Sequence, residues 1–320
     1  MKKHKNPARE SRPIWYIALG LLGLGLLIAY LLRDADVALL NPKGYIAQQQ
    51  LNLMLVSLVI MLVIAVPALF LFYFFAWKYR ETNEKATYDP TGRQSKYFVF
   101  GIWAFPIIIA IVLAGVMWPA TQKLEPTDNL AYVSDAEPVT IQVVAMRWKW
   151  LFIYPEQNIA SVNFVQIPTN TPVKFELTAD ESPMSSFWIP HLSGQLYAMT
   201  GHANHLNILA DTPGDYPGSS AEINGAGFAG MKFIARAGSQ ADFDRWVHDV
   251  QVATAELDST QYQKLLKPTE NHPAEFYALT ESGLYDKVLM KYSGSHEHSA
   301  GEPGENKDAH SMSEKPKGHE

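Results

Sequence analysis

SSAEINGAGFAGMKF, residues 219–233, is a loop with strand-like flanks, its turn marked by Gly225-Ala226-Gly227. Its glycines do not follow the phosphate-binding spacing that aims a run of backbone N–H groups at an anion. Two side chains in it have some capacity for a metal, Glu222 and Met231. A lone carboxylate is more often solvated, and a lone thioether more often fills a core. The chain contains no cysteine, so no thiolate joins them. The same absence excludes disulfides, cysteine nucleophiles and a lipoprotein anchor.

Around this loop, from Pro138 onward, short alternating segments are bounded by Pro, Gly, Asn and Asp. That pattern predicts an antiparallel sandwich or barrel. Residues 139–154 (VTIQVVAMRWKWLFIY) open it, 173–177 continue it, and 206–210 and 231–235 supply later strands. Pro168-Thr169-Asn170 and Asp211-Thr212-Pro213-Gly214 mark turns. His191, His202 and His205 cluster after Pro190, but no carboxylate or thiol accompanies them. They read as surface or subunit-interface residues rather than a metal trio. No Gly-x-Ser-x-Gly elbow and no HExxH helix is present.

Past Ser239 the period lengthens, with Phe243, Trp246, Val247 and Val250 spaced as on one face of a helix. Further helical pieces are expected over 258–266 and 276–292. The tail from 294 to 320 is polar, with His296, His298, His310 and His319 scattered through it. Such a composition cannot bury a core and predicts a disordered, solvated tail.

Toward the N-terminus the apolar residues are crowded. Lys2, Lys3, Lys5, Arg9 and Arg12 precede an uncharged run over 14–32. Its length suits a retained helix of about 20 residues better than a signal core of about 7–15. Uncharged runs over 53–77, containing Pro67, and 97–120, containing Pro106, predict a transmembrane hairpin. The loop between them carries Lys78, Arg80, Lys85, Arg93 and Lys96. The positive-inside rule puts it in the cytoplasm and everything after about residue 120 on the other side. A net charge of −6, with no basic cluster in the soluble part, argues against a nucleic-acid partner.

LLNPKG (39–44), RWKWLFIYPEQ (147–157), SSFWIPHLSGQLYAMTG (185–201) and NGAGFAGMKF (224–233) together resemble subunit II of the haem-copper terminal oxidases, over roughly residues 37–292. In the cytochrome c-oxidising branch a His-Ser-Phe-x-x-Pro half and a Cys-x-Glu-x-Cys-x-x-x-His-x-x-Met half hold a binuclear copper centre. Laid over this chain, the first His falls on Ser185, the two Cys on Ser220 and Asn224, and the second His on Phe228. Only Glu222 and Met231 match. A mixed-valence copper pair needs bridging thiolates and imidazoles, which hydroxyls, an amide and a phenyl ring cannot replace.

The loss implies the quinol branch, and the chain is similar to subunit II of bo-type ubiquinol oxidases. The resemblance implies an α+β membrane protein of the bacterial inner membrane. Residues 1–50 form a signal or anchor helix and a link, 51–120 the helical hairpin, and 121–240 a periplasmic cupredoxin-like antiparallel β-sandwich. Residues 241–293 form a helical aromatic-rich extension, and 294–320 the tail. It further implies a structural and assembly role in a proton-pumping complex, no catalytic or metal residue in this chain, and haem and copper in subunit 1. Subunits 1, 3 and 4, membrane lipid and ubiquinol are the implied partners. Trp148 and Trp150 match the family's aromatic strand and read as packing residues between sandwich and membrane domain. Ala35 stands where relatives carry a lipoprotein cysteine, and Val99 where many carry a proton-entry glutamate. Glu81 and Glu84 are the nearby carboxylates. The alternatives are a membrane-tethered periplasmic cupredoxin-like binding or copper-handling protein, and, against the missing ligands, a cytochrome c oxidase subunit 2.

Overall fold

The computed structural model describes residues 12–32, 37–81, 83, 95–127, 130, 132–252 and 255–293. The basic flank before residue 12, Ala35, the loop residues 84–94 and the histidine-bearing tail lie outside them. Two compact units are defined, residues 1–43 with 47–117, and residues 44–46 with 118–320.

The first unit holds α1 (Arg12–Leu32) and most of α2 (Tyr45–Lys78) and α3 (Lys96–Lys123), which cover the three apolar runs. With 34 and 28 residues, α2 and α3 are long and apolar enough to cross a membrane. At 1.5 Å per residue each exceeds the roughly 30 Å hydrocarbon core. Their large side chains are exposed, with Phe70 at 66% and Phe100 at 72%. Water would penalise so much bare apolar surface, and lipid or partner helices would not.

The second unit is built on two sheets. Its strands are β1 (Val139–Met146), β2 (Lys149–Tyr154), β3 (Ile159–Val162), β4 (Phe164–Pro168), β5 (Val173–Ala179) and β6 (Ser185–Trp188). The chain continues through β7 (Leu196–Ala198), β8 (Asn204–Ile208), β9 (Gly214–Ser220), β10 (Lys232–Gly238), β11 (Glu256–Leu257) and β12 (Glu275–Leu279). Among the described residues, the larger sheet runs β11-β12-β3-β2-β1-β5-β8 and the smaller β4-β10-β9-β6-β7. The expected sandwich is present, with mixed pairing: β1 with β5, β4 with β10 and β11 with β12 run parallel.

The uniform apolarity of 139–154 has a simple cause. Trp150, Phe152 and Tyr154 face the core between the sheets, whereas Leu151 and Ile153 face a second core on the outer side of the larger sheet. A strand buried on both faces loses the polar alternation of a half-exposed one. The run is also not one strand. It turns at Arg147 and Trp148, and Met146 pairs with Lys149 across the hairpin.

The second core is closed by α5 (Ser259–Leu265) and α6 (Leu284–Ser293), through Tyr262, Leu265, Leu284, Tyr285 and Val288. Before them, α4 (Gln240–Gln251), capped by the Ser239 hydroxyl accepting from the Asp242 amide, seals the inner core with Phe243, Val247 and Val250. One expectation is corrected here. Residues 276–292 are not a single helix, because 275–279 form β12 against β3, a turn follows at Gly283 (φ 71°), and only then does α6 begin. Phe276 packs on Phe164 and Trp246 while Tyr277 points into the second core, the period of a strand.

Within the same unit, the segment before α2 is pinned to the sandwich. Gly44 forms a bridge with Ala210, and the Tyr45 amide donates to the Leu209 carbonyl. Ile46, Leu130 and Leu209 make a small core of their own there.

Candidate functional site: the loop between β9 and β10

The two halves of the site meet because β6 lies beside β9, with Phe187 opposite Ser220. That register sets Ser185, at the start of β6, next to the loop that follows β9. The Asn224 amide nitrogen donates to Ser185 Oγ at 2.7 Å and to Met231 Sδ at 3.1 Å. All three residues are buried. The other three matched positions are not drawn in. Ser220 turns its hydroxyl onto the Glu222 carbonyl, Glu222 is exposed, and Phe228 sits half-buried on a single 3-10 turn, Phe228–Gly230.

Two walls hold the loop from outside. The half-buried Trp148 donates from Nε1 to the Asn224 carbonyl at 3.4 Å and lies flat against the glycines. A Cβ on Gly227 would stand 2.4 Å from the indole, and Gly225 has φ of +127°, so neither position admits a side chain without movement. On the other side Asn271, from the C-terminal extension, approaches Gly230 so closely that a Cβ there would be 2.6 Å from its Oδ1. Nearby, the Thr269 amide donates to the Arg147 carbonyl and the Trp148 amide to the Thr269 carbonyl. The glycines of the loop therefore serve close packing.

This donor set does not fit the binuclear copper centre of the cytochrome c branch. A hydroxyl, an amide and one thioether converge where thiolates and imidazoles are needed, and the amide already occupies both the hydroxyl and the sulfur. Among the described residues no group of three or more His, Cys, Asp or Glu is placed to hold a metal ion. The three clustered histidines go to different surroundings. His191 is buried against the Tyr216 ring, His202 Nδ1 meets the Thr200 carbonyl, and His205 lies 4.0 Å from Glu176.

Trp150, paired with Trp148 in the sequence reading, is unlike it in place. It is fully buried inside the sandwich, edge-on to Phe187 and Phe233. Its packing is thus internal to the sandwich, which corrects the expectation of a contact directed at the membrane domain.

Two buried charges escaped the sequence reading. Lys149 is 1% exposed and donates to the Leu265 and Lys267 carbonyls at the end of α5, both at 2.8 Å. Burial lowers its pKa to about 8, partly offset by Glu275. A lysine inside an aromatic strand was the available signal. Asp180, also 1% exposed, accepts from Tyr262 and Tyr292 hydroxyls at 2.7 Å and from Lys291 Nζ at 2.8 Å. Burial first, then the Asp180 carboxylate, pushes the Tyr262 hydroxyl far above its usual range. The partners of Asp180 lie more than eighty residues away in sequence, beyond any local pattern.

The second unit is thus a two-sheet sandwich whose loop between β9 and β10 is closed by its own hydrogen bonds, preceded in the chain by two helices of membrane-spanning length. The family model described as COX Aromatic Rich Motif matches residues 253–296, the extension that carries α5, β12 and α6. The chain is 44% identical to the cytochrome bo(3) ubiquinol oxidase subunit 2 of Pseudomonas putida, over 82% of this chain and 83% of that one. It is 41% identical to the ubiquinol oxidase subunit 2 of Acetobacter aceti, over 84% and 87%. Among solved structures, the periplasmic domain of subunit II of cytochrome oxidase of Bradyrhizobium japonicum matches at 22% identity and a TM-score of 0.34, covering 37% of this chain and 95% of that domain. The chain belongs to the family of ubiquinol oxidase subunit 2, and as such it is one chain of an oxidoreductase complex.

Proposed function

We propose that this chain is the metal-free second subunit of a proton-pumping terminal ubiquinol oxidase of the bacterial inner membrane. Ubiquinol is the electron donor, oxygen the acceptor, and haem and copper reside in subunit 1. The role of this chain is to assemble with subunits 1, 3 and 4 and to cap them on the periplasmic side. The observation that carries the reading is the hydrogen-bonded closure of Asn224 on Ser185 and Met231. A loop closed in this way, without thiolate or imidazole ligands, lacks the metal that would take electrons from a soluble protein donor, which supports a donor that reaches the complex within the membrane. Helices α2 and α3 are the membrane anchor, with α1 as a third span if its segment is retained.

The test uses the purified complex. Metal analysis normalised to haem is expected to assign no copper to this subunit, and a short-chain ubiquinol is expected to sustain oxygen consumption where reduced cytochrome c does not. A stoichiometric mixed-valence copper signal from this subunit, or full activity with cytochrome c, would overturn the assignment.

A further inference from the structure

Loops that approach a metal are held by it, and a loop that loses its metal loses that crosslink. Here residues 221–231 are still tightly organised. The Ala221 amide donates to the Ser186 carbonyl at 2.9 Å, and the Ser220 amide to the Met231 carbonyl at 3.2 Å. The first bond ties the loop to β6 and the second closes its base between the end of β9 and Met231, beside the point where Asn224 reaches across. Asn224 is 7% exposed, and its amide nitrogen has two acceptors on two different segments, Ser185 Oγ on β6 and Met231 Sδ ahead of β10. Its backbone carbonyl is engaged as well, by the Trp148 indole. Through its side chain and its backbone carbonyl, this one residue therefore joins the β1–β2 turn, β6 and the far end of its own loop.

We propose that Asn224 is the crosslink of this loop: its amide ties β6 to the β9–β10 loop and holds the end of the sandwich in a fixed shape with no metal present. The tie is made by the two N–H donations and does not depend on which electron donor the complex uses. Burial strengthens it, because water is excluded from competing for either acceptor. Its partner Ser185 is also fully buried, and its hydroxyl donates on to the Pro183 carbonyl at 3.2 Å, so removing either member costs the only one of these bonds that joins β6 to Asn224.

Peptide-resolved hydrogen exchange of the full chain in the purified complex tests this. Asn224→Ala is expected to raise exchange about tenfold or more at Ala221 and across 183–187 as well as 221–227, while β1 and β5 stay protected. Ser185→Ala removes a single hydroxyl and is expected to open the same two segments. Because the bond that Ser185→Ala removes is one of the two that Asn224→Ala removes, the double variant is expected to exchange little faster than Asn224→Ala alone. Opening confined to each variant's own segment, additive effects, or unchanged protection in Ser185→Ala would overturn the proposal. If Asn224→Ala does not assemble, the Ser185→Ala result decides alone: opening on both sides supports the tie and protection at 221–227 refutes it.

Discussion

Lys149 shows how a single side chain links the extension to the sandwich. Its ammonium meets the carbonyls at the C-terminal end of α5, where the helix dipole favours a cation, and burial opposes the charge. The folded value of about 8 lies below the ordinary 10.5. Below about 8 both folded and unfolded chains hold the proton, and there is no slope. Between these values the unfolded chain holds the proton and the folded chain has released it, so stability rises with pH across that window. The contribution is on the order of 1–3 kcal/mol. The apparent melting temperature of the purified chain, minus that of Lys149→Met, is expected to climb from pH 7.5 to 9.5 on this account. A flat difference would mean that Lys149 stays charged throughout. Tyr277, raised to about 12, and Lys291, raised by Asp180 and Glu181 against its burial, change charge above this window in the folded chain.

Elements meet in this protein through glycines that admit backbone contact. Gly44 is the strongest case, since a Cβ there would lie 2.6 Å from the Leu209 carbonyl oxygen and 3.2 Å from Leu192 Cα. Both neighbours are backbone, so no rotamer change relieves the overlap. Gly44→Ala is expected to break the bridge to Ala210, to expose the small core of Ile46, Leu130 and Leu209, and to cost roughly 1–3 kcal/mol. Thermal melting of the detergent-solubilised chain measures it, and a melting temperature equal to the parent's would show that the bridge does not bear on stability. The same logic explains the extension. It adds β12 and then β11 to the edge of β3 and lays α5 and α6 over a sheet face that would otherwise be bare. Asp180 then fastens the end of α6 by Lys291 and Tyr292.

For the whole molecule the outstanding consequence is orientation. Lys78 and Arg80 lie at the end of α2 and Lys96 at the start of α3, so the positive charges gather at one end of the hairpin. By the positive-inside rule that end is expected in the cytoplasm and the sandwich in the periplasm. Reporter fusions that work only in the cytoplasm are expected to be active when placed between α2 and α3 and silent when placed after α6. The opposite pattern would reverse the topology.

Apolar length alone made the two membrane-length helices, α2 and α3, legible, because an uncharged run of some twenty residues has few other stable solutions. Residue chemistry alone disqualified the copper ligands, since no arrangement of Ser185, Ser220, Asn224 and Phe228 supplies a thiolate or an imidazole. The sandwich was legible from turns and short apolar segments, but the hairpin inside 139–154 was not, because burial on both faces erases the alternation that marks a strand's sides. The strand at 275–279 was hidden for another reason. Five residues with mixed periods fold by whichever partner they find, and here the partner was the edge of β3, more than a hundred residues earlier. The tertiary structure alone decided what closes the loop between β9 and β10. Asn224, Ser185 and Met231 each look ordinary in sequence, and only the pairing of β6 with β9 brings an amide, a hydroxyl and a sulfur within bonding distance in a place without water.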